Sequence, residues 1–298
     1  VLPAGGLEGR TRAMLKVEDG CVNFCSYCII PYARGRIRSL SLNEAVEQTK
    51  GLVQQGYREI VITGIEISSW GQDLRNGTSL IDLIEAVCTA APDCRIRLGS
   101  LEPRTITEEF CVRAARLSNL CPHFHLSMQS GCDSVLARMN RKYDTARYYE
   151  SVSLLRRYFD RPAVTTDLIV GFPGETEEEF VRTLDFIRKC AFAAMHVFPY
   201  SKRPGTPAAK MPGQVLNAVK EDRAHRAAEV AAQMEQDYLA QFMDQPLPVL
   251  FEEEKDSLWY GHTPNYIPVA VQGENLLNQV RDVRPSEIQN ELVLGQLI

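Results

Sequence analysis

The feature that most limits how this chain can fold is an alternation. Short β-like runs and helical runs follow one another six times before the pattern stops near Asp244. The runs at 14–18, 58–63, 95–99, 123–127, 164–170 and 194–198 read as strands. Ser41-Leu-Asn-Glu44, Thr105-Ile-Thr-Glu108 and Thr176-Glu-Glu-Glu179 open helices among them, each with a Glu three residues after a Ser or Thr. That spacing lets the hydroxyl and the carboxylate satisfy each other's backbone amides. Further helical segments are expected at 80–91 and between 134 and 159. The longest, 215–242, sets Ala227, Val230, Ala231, Met234, Tyr238 and Phe242 at three- to four-residue intervals, a stripe that faces a core. Alternating units imply a parallel sheet with right-handed crossovers. Six units are fewer than the eight of a closed barrel. The expected fold class is α/β: an open six-unit partial (β/α) barrel over residues 1–243.

Beyond 244 the helical period disappears. Alternating runs at 247–251, 258–260, 267–271, 277–283 and 291–294 suit a small antiparallel, OB-like β-barrel over residues 244–298. This segment carries nine Asp/Glu against three Lys/Arg, a charge of −6, and the rest of the chain is close to neutral. The net charge of −5 excludes a chain that binds polyanions by bulk composition. No apolar run is long enough to span a bilayer, and the opening Val-Leu-Pro-Ala-Gly-Gly has no basic or apolar leader. A cytoplasmic chain without membrane contact is expected.

Nine cysteines are many for such a chain. Cys88, Cys94, Cys111, Cys121, Cys132 and Cys190 are scattered and read as small buried hydrophobes. The other three form Cys21-Val-Asn-Phe-Cys25-Ser-Tyr-Cys28, directly after the first strand. Three thiolates on one loop can each hold one iron of a cubane and leave the fourth iron open to an amine and a carboxylate. A structural iron–sulfur or zinc site wants four protein ligands. No fourth Cys or His follows at a usual spacing, and His123 and His125 sit on a separate strand. Zinc binding and unrelated core cysteines remain the alternatives.

The C-x3-C-x2-C spacing, with Tyr27 before the third cysteine, resembles the radical S-adenosylmethionine (SAM) superfamily. The resemblance implies a 4Fe–4S cluster on Cys21, Cys25 and Cys28. It also implies SAM as cofactor, cleaved after one-electron transfer to give a 5′-deoxyadenosyl radical. It places Tyr27 near the adenine and makes Gly64 and Glu66, at the end of the second strand, the segment for the methionine amino group. Ser100 and Glu102 follow the third strand, and Ser127 and Gln129 follow the fourth; polar groups there can hold ribose hydroxyls. Arg141 can pair with the cofactor carboxylate, because a guanidinium makes bidentate contacts. Gly171-Phe-Pro-Gly174 is similar to the adenine-side loop. Tyr27 also reads as a plain core aromatic, Arg141 as a surface arginine and the glycine-proline segment as a simple turn.

Five further segments resemble the methylthiotransferases within that superfamily. They are Ile29-Ile-Pro-Tyr-Ala-Arg-Gly35, His125-Leu-Ser-Met-Gln-Ser-Gly131, Met139-Asn-Arg-Lys-Tyr143, Asp167-Leu-Ile-Val-Gly-Phe-Pro-Gly-Glu175 and Phe198-Pro-Tyr-Ser-Lys-Arg-Pro-Gly-Thr206. The last segment of the chain is similar to the RNA-binding TRAM barrel of these enzymes. Pro31-Tyr-Ala-Arg-Gly35 and Gly261-His-Thr-Pro-Asn-Tyr-Ile267 most resemble the branch acting on threonylcarbamoyladenosine beside the tRNA anticodon. The resemblance implies 2-methylthiolation of that nucleoside, tRNA as partner, and a one-electron donor such as flavodoxin or ferredoxin. Other branches act on isopentenyladenosine or on a ribosomal aspartate; a non-catalytic, cluster-carrying RNA binder is the remaining alternative. Family members begin with a three-cysteine domain that supplies sulfur. Nothing here matches it, so the chain is expected to be a truncated form. Because the barrel segment is acidic, nucleic-acid contact is expected from Arg34, Arg36 and Arg38, which also read as a solvated charge run. Trp259, Tyr260 and Tyr266 are expected to offer stacking surfaces.

Overall fold

In a computed structural model, which describes residues 11–298, the expected alternation is present with small shifts of boundary. The elements run β1 (Arg12–Lys16), β2 (Glu18–Asp19), α1 (Ile30–Arg34), β3 (Arg38–Ser39), α2 (Leu42–Gln54), β4 (Glu59–Thr63), α3 (Leu80–Ala90) and β5 (Arg95–Leu98). They continue with α4 (Glu108–Ala114), β6 (His123–His125), α5 (Asp133–Arg138), α6 (Thr145–Tyr158), β7 (Ala163–Val170), α7 (Glu177–Cys190), β8 (Ala194–Pro199) and α8 (Asn217–Ala240). The capping boxes at Ser41/Glu44 and Thr176/Glu179 both form. The third expected helix opens two residues late: Pro103–Thr105 forms a 3₁₀ turn, and Thr107 caps α4 by accepting from the Phe110 amide.

The six long strands lie parallel as β1-β4-β5 and β6-β7-β8. Two isolated parallel bridges, Ile96 to Leu120 and Leu101 to Leu126, stitch the halves together. The result is an open partial barrel of six units. One face is apolar: Ile60, Ile62, Ile96, Leu98, Phe124 and Leu126 are fully or almost fully buried in the main core. The other face carries many polar residues, Arg12, Glu59, Arg97, His123, His125, Thr165, Asp167 and His196 among them. All six scattered cysteines are buried.

The C-terminal strands β9 (Leu247–Lys255), β10 (Leu258–His262), β11 (Pro268–Val271), β12 (Val280–Gln289) and β13 (Leu292–Leu297) close into a barrel in the order β10-β11-β13-β12-β9. The barrel is not wholly antiparallel as expected, because β11 pairs with β13 in parallel. Such a pairing joins strands distant in sequence, so local alternation cannot reveal it.

This barrel seats its 263–267 turn against the N-terminal edge of the large sheet. Tyr266 stacks between His123 (5.0 Å, 17°) and His262 (4.5 Å, 15°). The Arg97 guanidinium lies over its ring at 4.7 Å, and Arg12 donates to its hydroxyl at 2.9 Å. Arg97 also forms a buried pair with Glu59 (2.6 and 3.0 Å) and donates to the carbonyls of Pro264 and Thr263. One of the expected stacking surfaces is corrected: Trp259 lies in the barrel core at 7% exposure. Tyr266 stays 36% exposed, with its ring stacked on the two histidines. Tyr260 is half-buried.

Candidate functional site

The cysteine loop is pinned at both ends by the β2–β3 ribbon, in which Glu18 faces Ser39 and Asp19 faces Arg38. Gly20 enters the loop at φ 93°, where a Cβ would collide with the Arg36 carbonyl. Glycine is what lets the chain reach Cys21 so close to its return strand. Within the loop the Cys28 amide donates to the Cys25 carbonyl at 3.0 Å. No disulfide forms. Burial first, and then the charges of Glu66, Cys25 and Cys28, push the Cys21 thiol up to about 11 against one backbone hydrogen bond from Asn23. A thiol raised by burial and by neighbouring negative charge suits the cationic core of an iron–sulfur cluster, which supplies the missing positive charge.

Among the described residues no three His, Cys, Asp or Glu groups converge on one point as ligands of a single ion would. A zinc ion would draw its sulfurs to about 2.3 Å from one centre. A cubane takes each thiolate on a different iron, so its cysteines stay apart. Three free thiols on one loop are the donor set of a cluster that keeps one iron open, where a structural zinc wants four protein ligands.

The strand ends of the large sheet close over this loop. Arg141 is a central, half-buried group rather than a freely solvated surface arginine. It donates to Cys25 Sγ at 3.3 Å, to the Ser127 carbonyl at 3.0 Å and to Tyr143 Oη at 2.9 Å. Three of its five N–H groups are used, and two remain. Glu66 accepts from the Ser68 amide (3.2 Å) and from Asn23 of the cysteine loop (3.3 Å). Burial and nearby Glu102 raise the Glu66 carboxyl, with Arg141 opposing them. A half-buried Glu66 raised by burial and by the neighbouring Glu102 fits an ammonium group. Gly64 has no room for a Cβ, which would lie 2.9 Å from both the carbonyl and Oε2 of Glu18. That Oε2 accepts from the Glu66 amide at 2.8 Å. Tyr27 packs edge-on against Phe172 of the 171–174 loop (6.4 Å, 83°).

The remaining expected positions are less engaged. Glu102 is buried and holds Arg104 at 3.0 Å. Ser100 is exposed and makes no hydrogen bond among the described residues. Ser127 contributes its carbonyl, to Arg141 and Tyr143. Gln129 takes φ 68° and bonds through its backbone to Asp167 and Ile169. Arg34, Arg36 and Arg38 are exposed, but Arg38 pairs with Asp19 at 2.9 Å and donates to the carbonyls of Arg34 and Arg36. Only Arg34 and Arg36 keep their side chains unpaired among the described residues. Sequence reasoning missed Glu18, Asn23 and Tyr143, whose roles depend on contacts between segments far apart in the chain. No described helix is long and apolar enough to cross a membrane.

Residues 15–187 match the family model of the radical SAM superfamily. The chain is 41% identical over 281 residues to a threonylcarbamoyladenosine tRNA methylthiotransferase of Bacillus subtilis, covering 92% of this chain and 62% of that protein. A protein of the same name from Chlamydia pneumoniae is 37% identical, with 98% of this chain and 69% of the relative covered. The chain thus spans 62% of the length of the Bacillus relative. Among solved structures, the radical SAM methyltransferase TsrM of Kitasatospora setae superposes with a TM-score of 0.56 at 18% identity, over 66% of this chain and 38% of that one.

Proposed function

The chain belongs to the radical SAM superfamily and, within it, to the tRNA methylthiotransferases, and from that premise we propose that it converts threonylcarbamoyladenosine beside the tRNA anticodon to the 2-methylthio derivative. The observation that carries the reading is the meeting of Cys25, Arg141 and Ser127 with Asn23 and Glu66, which joins a three-thiol loop to the strand ends of the sheet. Cys21, Cys25 and Cys28 would hold the 4Fe–4S cluster, Glu66 and Glu102 the methionine ammonium, and Arg141 the carboxylate. Tyr27 would lie beside the adenine, with Gly64, Ser100, Ser127 and Gln129 lining the rest. When bound, cluster and SAM supply the carbon radical that an unactivated aromatic C–H requires. The protein's own part is to keep the thiolates together, to balance the Cys25 charge with Arg141, and to exclude water around Glu66 and Glu102.

In this reading residues 1–243 form the cofactor domain and 244–298 a TRAM-like, OB-type module, and a flavodoxin or ferredoxin supplies the electron. Closure of the five C-terminal strands supports the module. The function is tested with reconstituted protein, a strong one-electron reductant and SAM: 5′-deoxyadenosine is the expected product, followed by chromatography with mass detection. An intact cluster that yields none overturns the reading.

RNA contact near the site should rest on two arginines rather than three, because Arg38 is already paired with Asp19. Replacing Arg34 and Arg36 together by Gln should flatten the slope of log affinity against log salt by roughly 1.4–1.8 in a tRNA titration. Arg38→Gln alone should change it little. An unchanged slope in the double variant would show both arginines to be merely solvated.

A further inference from the structure

The polar face of β6, β7 and β8 carries a hydrogen-bonded chain that the cofactor site does not use. His123 Nε2 meets Thr165 Oγ1 at 3.3 Å, and Thr165 Oγ1 meets His125 Nδ1 at 3.1 Å. His125 Nε2 reaches Asp167 Oδ2 at 3.3 Å, and Asp167 Oδ1 reaches His196 Nδ1 at 3.3 Å. Parallel strands packed on both faces are normally apolar throughout. A polar row there marks a face kept free for something other than core packing.

The network fixes its own tautomers. Asp167 can only accept, so both imidazoles must turn N–H groups toward it. Burial first, then the charges of His125 and His196 with their hydrogen bonds, set its carboxyl: burial raises it, the histidines outweigh that, and the net pKa is lowered. With Nε2–H committed, neutral His125 accepts at Nδ1 from the Thr165 hydroxyl. Thr165 then accepts from His123 Nε2–H, and burial holds His123 neutral. At the far end His196 turns Nδ1–H to Asp167, so the neutral imidazole presents Nε2 as an acceptor. The His196 side chain is 73% exposed, and Phe198, next on the same face and half exposed, lies 6.3 Å from it. At the next position of β7 on this face, Ile169 packs against the small core of Phe172 and Tyr200, as does Tyr27 of the cysteine loop. The open end of the chain at His196 is thus exposed, on a sheet face whose next β7 residue shares a core with the cysteine loop.

We infer that His196 and Phe198 form the seat for the substrate base: a purine turned out of its stack lies on Phe198 and donates its exocyclic N–H to His196 Nε2, which Asp167 orients. This deepens the proposed tRNA reading and rests on it. An extruded base is read by aromatic stacking and edge hydrogen bonds, and the two side chains offer one of each. Asp167 and His125 are positioning residues that act through His196.

The test is a binding titration, independent of turnover. Two anticodon-loop RNA hairpins are compared, one with N6-threonylcarbamoyladenosine at the target position and one with the same nucleoside methylated at N6, which lacks the N–H. The wild-type chain should prefer the first by roughly fivefold, the value of one neutral hydrogen bond. His196→Ala should bind both equally, His196→Gln should recover part of the preference through its amide oxygen, and Asp167→Asn should lower the preference with His196 still present. Phe198→Ala should weaken both hairpins by roughly tenfold without changing their ratio. A preference that survives His196→Ala overturns the seat, and so does a wild-type chain that binds the hairpins above mixed-sequence RNA yet shows no preference. Hairpin binding no better than mixed-sequence RNA overturns the tRNA reading beneath it.

Discussion

A Cys25→Ala chain is expected to leave anaerobic reconstitution with no 4Fe–4S cluster, where the parent chain carries one. Cys25 is the inner member of the three-thiol loop, 9% exposed, and it alone of the three receives a hydrogen bond from Arg141. Its removal leaves two thiols and an open side, and the Arg141 charge then faces a methyl group in place of a thiolate. Cys21→Ala and Cys28→Ala should behave alike. Cys88→Ala and Cys190→Ala remove buried thiols that burial pushes up to about 12, far from thiolate chemistry, and should keep full iron. Iron and acid-labile sulfide per chain decide the matter, and a full cluster in Cys25→Ala would sink the ligand assignment.

The second large effect is one of stability. Glu59→Ala should destabilise the chain by roughly 3–5 kcal/mol, the usual cost of breaking a buried ion pair on one side. Glu59 is 1% exposed and Arg97 3%, and the guanidinium spans three structures at once: strand β4, the 263–264 carbonyls and the Tyr266 ring. With Glu59 gone, a buried cation keeps only carbonyls and a ring. A fall in melting temperature on the order of 10 °C follows, read by thermal unfolding under reducing conditions. The double replacement Glu59→Met, Arg97→Met removes both charges and should recover much of the loss. A loss below about 1 kcal/mol in Glu59→Ala would show that water reaches the pair.

Much of the fold was legible because it follows local rules. Ser41, Thr176 and their glutamates announce helices through contacts three residues apart. The period-2 and period-3.6 runs place the six strands and α8. The three cysteines were legible for the same reason, since their spacing is itself the chemistry. What stayed hidden depends on pairing across the chain. Arg141 reads equally well as a surface residue until β6 and the cysteine loop are placed beside it. Arg38 looks the same as Arg34 and Arg36 until Asp19 lies opposite it. Trp259 looks like a stacking surface because sequence shows an aromatic ring but not which face of a closed barrel it takes. The row from His123 to His196 did leave a signal: polar residues at alternate positions of strands whose neighbours, Thr166 apart, are apolar.

The wedge of Tyr266 beneath the sheet has a consequence for the time order of synthesis. Arg12 stands in the first described strand, yet its hydrogen-bond partner Tyr266 lies 254 residues later and its ion-pair partner Glu252 lies 240 residues later. At about 5–20 residues per second on a ribosome, the base of the sheet waits roughly 10–50 s for its cover. Through that interval the Glu59–Arg97 pair and His123 lie open to water, which hydrates what the C-terminal barrel later covers. The charged base thus keeps the half-made sheet soluble, and the last fifth of the chain dries it on arrival.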